Sequence, residues 1–156
     1  LVGSEMCIRD RVKNLQHTVF STKANYKMIR GEWAPDLYSY IGAVMKSMNC
    51  RLISAGGVGD HIHLLASLDK TISISELVMK IKALSSGWVH HKIPGGKKFA
   101  WQRGYASFSV SESNINAVKR YIENQPEHHR QLAFQEELKL LLDKHHLEYD
   151  ERYLWN

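Results

Sequence analysis

The stretch Gly56-Gly57-Val58-Gly59-Asp60-His61-Ile62-His63-Leu64-Leu65-Ala66-Ser67-Leu68 decides how this chain is read. Its glycine-rich start predicts a tight turn, and the apolar, β-prone run that follows predicts a strand leaving it. Side chains on a strand alternate between faces. His61 and His63 therefore share one face, with Ile62, Leu64 and Ala66 on the other. Two imidazoles side by side on a rigid strand form half of a metal site.

Working outward, residues 51–55 predict a strand that the glycine turn joins to the histidine strand as a hairpin. Upstream, residues 15–22 (LQHTVFST) predict a first strand, and residues 33–48 a helix with Leu37, Ile41, Val44 and Met48 on one stripe. Pro35 is tolerated in that helix's first turn. Downstream, Ser73-Ile-Ser-Glu76 is a capping box. It opens a helix to about His90, with Ile74, Leu77, Val78, Ile81 and Leu84 facing inward. A basic loop follows (Pro94-Gly95-Gly96-Lys97-Lys98), then a strand at residues 105–110. Ser113 caps a helix over residues 114–125, and a last amphipathic helix carries Phe134, Leu138, Leu141 and Leu142.

The order is β-α-β-β-α-β with additional C-terminal helices. It predicts an α+β fold, a ferredoxin-like or RRM-like antiparallel sheet with helices on one face and the other face free for a ligand. Residues 1–14 are read as a leader outside the fold, the first eleven resembling translated readthrough. Residues 15–156 then form one domain.

The chain has 156 residues and a formal net charge of +5, enough for one domain with a hydrophobic core. No apolar run is long enough to span a bilayer. Cys7 and Cys50 belong to no C-x-x-C pair, a usage that fits a reduced, cytoplasmic protein. Between residues 76 and 103, Lys80, Lys82, Lys92, Lys97, Lys98 and Arg103 face Glu76 alone. Such a patch suits a polyanion, most commonly nucleic acid.

The helix after Ser113 offers the second half of the site. Ile115, Val118 and Ile122 form its buried stripe, and Ala117, Tyr121 and Gln125 a second stripe beside it. Pro126 places Gln125 at or near a helix end. A tyrosine and an amide one turn apart can meet two strand histidines, giving two imidazoles, one oxygen ligand and a candidate nucleophile. From the ligands alone, Zn²⁺, Mn²⁺ and Ni²⁺ suit equally. His128-His129 either borders this site or covers polar helix surface. His90-His91 and His145-His146 read as surface pairs. Tyr105 and Phe108 either stack on bases or belong to the core.

From about His17 onward the chain resembles the single-tyrosine transposases of the HUH endonuclease superfamily, the small insertion-sequence transposases and their REP-associated relatives. The likeness rests on His17-Thr-Val-Phe-Ser-Thr-Lys23, on Gly59-Asp60-His61-Ile62-His63-Leu-Leu, on residues 101–111 (WQRGYASFSVS) and on Tyr121-Ile-Glu-Asn-Gln125-Pro-Glu-His-His129. It implies that His61 and His63 bind a divalent metal, Mg²⁺ or Mn²⁺, with Gln125 as third ligand, and that Tyr121 is the nucleophile. It further implies a 5′-phosphotyrosine intermediate on single-stranded DNA with hairpin ends. A homodimer with composite active sites and a bacterial or archaeal, nucleoid-associated location belong to the same expectation. Lys23, Lys80, Lys82, Lys97, Lys98 and Arg103 are the candidate DNA contacts. Asn25 departs from the pattern, where a basic residue is expected.

Two other readings compete. A domesticated relative nicking chromosomal palindromes shares the chemistry and differs in its flanking repeats. A catalytically silent single-strand-binding module predicts that His61→Ala changes nothing, and the lack of an aromatic RNP pattern counts against it.

Overall fold

The computed structural model of the protein describes residues 11–129 and 132–152. The elements are β1 (Leu15–Ser21), α1 (Ala34–Ser47), β2 (Arg51–Val58), β3 (His61–Ser67), α2 (Ile74–Lys92), β4 (Ala106–Ser109), α3 (Ile115–Glu123), α4 (Gln125–His128) and α5 (Phe134–Lys144). The strands form one sheet in the order β2-β3-β1-β4, each neighbouring pair antiparallel. The α+β reading and its β-α-β-β-α-β order of elements are thus observed.

One sheet face packs on α1 and α2. Ile62, Leu64 and Ala66 meet Leu37, Ile41 and Met45 of α1 and Leu77, Val78 and Ile81 of α2 in the main core. Two end signals fix these helices. The Ser73 side chain accepts a hydrogen bond from the Glu76 N–H, so the capping box forms. At the end of α1, Asn49 has φ 59°, and the Cys50 and Asn49 N–H groups donate to the carbonyls of Met45 and Lys46, closing a Schellman turn. Leu84, expected inward, is 37% exposed. The helical repeat instead carries Leu77, Ile81, Ser85 and Val89 along the buried line. Buried Ser85 is satisfied by Trp101, whose Nε1 donates to its hydroxyl at 2.9 Å.

The histidine face, expected to lie free, is covered by the C-terminal helices. Val19 and Phe108 pack under Phe134, Leu138 and Leu142 of α5, while α3 crosses β2 at Gly56. A Cβ on Gly56 would sit 2.4 Å from the Ile122 carbonyl oxygen, so the crossing requires a residue without a side chain. Gly56 and Gly57 accordingly belong to β2, paired with His63 and Ile62, and the turn narrows to Gly59-Asp60. Their role is close approach, not the turn that their composition predicts.

The helix expected over residues 114–125 divides. It pauses at Asn124 and restarts as α4, with Pro126 in the first turn. At the other end, residues 1–10 of the expected leader lie outside the described residues. Lys13 pairs with Glu112 at 2.9 Å, and the Asn14 carbonyl accepts from the Leu68 N–H, which ties this end to the sheet. Cys50 is a buried free thiol, and Cys7 lies outside the described residues. Among the described residues no helix is long and apolar enough to cross a membrane.

Candidate metal and tyrosine site

β3 carries His61 and His63 to the face beneath α5, and both are fully buried. Each ring is held at Nδ1. Asp60 Oδ1 lies 2.7 Å from His61 Nδ1, and His17 Nε2 lies 2.8 Å from His63 Nδ1. The Nε2 atoms converge on Glu137 of α5, which is 1% exposed. His63 Nε2 is 2.9 Å from Glu137 Oε1, and His61 Nε2 is 3.4 Å from the same oxygen.

The other carboxylate oxygen faces the tyrosine. Tyr121 donates its hydroxyl to Glu137 Oε2 at 2.5 Å, and Gln125 Nε2 donates to it at 3.0 Å. Gln125 Oε1 lies 3.1 Å from His61 Nε2. The four residues expected at the site, His61, His63, Tyr121 and Gln125, are therefore brought together within one chain, Tyr121 beside its own His63 with ring centroids 5.7 Å apart.

Beyond the expected residues the site gains Glu137 and His129, with Asp60 and His17 on the histidine rings and His128 Nε2 3.3 Å from Glu137 Oε2. His129 Nε2 is 3.2 Å from Glu137 Oε1, yet it is buried and makes no hydrogen bond. The cue for Glu137 is its place three residues after Phe134, inside an apolar stripe. The sequence leaves His129 open between site and surface.

The charges follow from burial and contact. Burial would push Glu137 up, but hydrogen bonds from His61, His63 and Tyr121 hold it well below the usual carboxylate range. Burial opposes charge on His61 too, but Asp60 and Glu137 outweigh it and raise its pKa to about 9. Burial lowers His63, and burial with neighbouring His63 lowers His17 to about 3. Burial and the Glu137 carboxylate raise Tyr121 well above its ordinary value of 10.0, so the phenol keeps its proton.

The donor set fits a divalent cation. One ligand atom each from His61, His63, His129 and Glu137 lie within 4.8 Å of one another. The orphaned, buried His129 nitrogen, in the tautomer that leaves its lone pair free, is one that a cation would satisfy. Three imidazoles and a carboxylate suit Zn²⁺, Mn²⁺ or Ni²⁺.

The basic residues lie elsewhere. Lys23, Lys80, Lys97, Lys98 and Arg103 are exposed. Lys82 instead pins a loop, donating to the Gln102 and Gly104 carbonyls at 2.8 and 2.5 Å above the Phe20 ring. Phe108 is core and Tyr105 is exposed. His90 and His145, expected at the surface, are half-buried. His90 Nε2 lies 2.7 Å from the Phe99 carbonyl, and His145 stacks on Phe108. Asn25 adopts φ 56°, a conformation asparagine tolerates.

The fold is that of the Y1 transposases. A solved structure described as a transposase from Deinococcus radiodurans R1 matches with a TM-score of 0.56 at 25% identity, covering 75% of this chain and 95% of that one. A REP-associated tyrosine transposase, solved bound to a REP hairpin, matches with a TM-score of 0.60 at 15% identity, covering 79% of this chain and 73% of that one. The chain belongs to the family described as "Transposase IS200 like", whose model matches residues 11–125. The ISDra2 transposase TnpA of Deinococcus radiodurans is 25% identical over 116 residues, 70% of this chain and 81% of that protein. The transposase for insertion sequence element IS200 of Salmonella typhimurium is 28% identical over 117 residues, 71% and 76% respectively. His128, His129 and Glu137 lie beyond the matched residues.

Proposed function

We propose that this transposase is a metal-dependent single-strand DNA endonuclease and strand transferase in which Tyr121 attacks a phosphodiester at hairpin-marked ends. One observation carries the reading: the Tyr121 hydroxyl and the two strand histidines meet on opposite oxygens of a single buried carboxylate.

His61 and His63 are the metal ligands, with Glu137, His129 and the Gln125 amide as the further donors around them. A bound Mg²⁺ or Mn²⁺ supplies positive charge that polarises the phosphate and lowers the cost of forming a phenolate. Glu137 Oε2 aligns the Tyr121 hydroxyl and is the acceptor within reach of its proton. The tyrosine oxygen bonds to phosphorus, the bond to the 3′ oxygen breaks, and that oxygen takes a proton from solvent. The products are a 5′-phosphotyrosine and a free 3′-OH. A second 3′-OH then reverses the step and joins a new strand, so no high-energy cofactor is consumed. Tyr121 also lines a cavity of about 320 Å³ with His17, Phe108, Lys144 and His145. The exposed Lys144 on its lining supports entry of the strand from this side, with the exposed Lys23, Lys80, Lys97, Lys98 and Arg103 as more distant phosphate contacts.

The test is incubation of the protein with its element's own hairpin-bearing single-stranded ends and Mg²⁺ or Mn²⁺. A covalent protein–DNA adduct is expected from the wild type and none from Tyr121→Phe. Adduct formation by Tyr121→Phe, or none by folded wild type, overturns the mechanism. Assembly as a homodimer is part of this reading, checked by sedimentation of the full chain.

A further inference from the structure

His17 belongs to the motif at the start of the fold, and neither the nucleophile nor the proposed ligands account for it. β1 pairs with β3 so that Val19 stands opposite His63 and His17 opposite Leu65. His17 is therefore the diagonal neighbour of His63 on the same sheet face. It is 4% exposed, its ring stacks on that of His63 at 5.1 Å, and its Nε2 lies 2.8 Å from His63 Nδ1.

Hydrogen counting fixes the roles. The Glu137 carboxylate only accepts, so in the metal-free chain His63 donates from Nε2. A neutral His63 then has a lone pair at Nδ1 and accepts from His17. A metal ion takes the Nε2 lone pair, which moves the His63 proton to Nδ1 and requires an acceptor in the same place. Imidazole can fill either role by changing which nitrogen carries its proton. An aliphatic side chain or a phenyl ring can fill neither. The same need at His61 is met by Asp60, which accepts in both states.

We propose that His17 is a positioning residue that lets His63 change tautomer: it donates to Nδ1 while His63 Nε2 serves Glu137, and accepts from Nδ1 when Nε2 binds metal. Each ring keeps one proton throughout, the exchange passing through solvent. This inference rests on the metal reading of His61 and His63.

The experiment compares wild type, His17→Phe and His17→Gln, with and without Zn²⁺ as the diamagnetic probe. Long-range ¹H–¹⁵N correlation reads the His63 tautomer, and calorimetry reads Zn²⁺ affinity. Wild type should carry the His63 proton on Nε2 without metal and on Nδ1 with it. His17→Phe should lose about 10–100-fold in Zn²⁺ affinity, as loss of a hydrogen-bond partner to a metal-bound histidine typically does. His17→Gln, whose amide both donates and accepts, should restore most of the loss. A folded His17→Phe with wild-type affinity overturns the proposal, as does a wild-type His63 that holds one tautomer in both states. If His17→Phe fails to fold, the wild-type tautomers and the His17→Gln affinity still decide. If wild type binds no Zn²⁺, the metal reading fails by itself. A metal-free His63 proton on Nδ1 then separately overturns the donor role of His17.

Discussion

Glu137 joins the two halves of the site, one oxygen toward the histidines and the other toward Tyr121. Glu137→Gln keeps the shape and removes the charge. Mn²⁺ affinity measured by calorimetry should fall by about 10–100-fold, and adduct formation should fall with it. A variant with undiminished metal binding would assign the carboxylate to the tyrosine alone. Lys82 gives a pH-dependent counterpart away from the site. Burial lowers its pKa to about 8 from an ordinary 10.5. Between those values the unfolded chain binds more protons at this position than the folded one, so stability rises with pH there. In urea titrations the advantage of wild type over Lys82→Gln should therefore grow from pH 8 to pH 10.5. At this scale the sequence is a good guide to His61, His63 and Tyr121, because strand alternation and helical spacing place them directly. Glu137 and His129 escape it, because their approach depends on how the chain returns after α4. The visible cue is a carboxylate at the register where Phe134, Leu138 and Leu142 form an apolar stripe.

Helices and strands set the geometry that these side chains use. α3 reaches the histidine face only because Gly56 lets the Ile122 carbonyl approach β2. Gly56→Ala should cost about 1–3 kcal/mol, the usual penalty of forcing atoms into a packed contact, measured by chemical denaturation. Adduct formation should fall further than stability does, since the displaced helix carries Tyr121. The left-handed residue closing α1 is a control remote from the site. Asn49→Ala should lose about 1 kcal/mol, with adduct formation unchanged in the folded protein. Element boundaries were legible where the chemistry is local: the capping box at Ser73 and the Pro126 break both appear as written in the residues. The glycine pair and the exposure of Leu84 were not, because close helix–strand approach and the phase of a long helix are settled by packing partners distant in sequence.

The described residues form a sheet with the main hydrocarbon core on one side and, on the other, a smaller apolar cluster beside the buried polar group of His61, His63 and Glu137. The β-α-β-β-α-β order read from hydrophobic periodicity anticipated the sheet, but not that the histidine face is roofed by α5. Under that roof Tyr121 is hydrogen-bonded to a carboxylate that touches the same chain's His61 and His63. Exchange of α3 between the subunits of a dimer would place the same contacts across the interface. Mixing inactive Tyr121→Phe and His63→Ala chains distinguishes the two arrangements. A tyrosine that serves its own histidines leaves every site in the mixture with one defect, so no adduct should form. Composite sites would regain partial activity, because one site of each mixed dimer would combine an intact tyrosine with intact histidines. The composite sites that the family resemblance implies predict the second result, with adduct formation after subunit exchange as the measurement; no adduct would assign each tyrosine to its own chain's histidines.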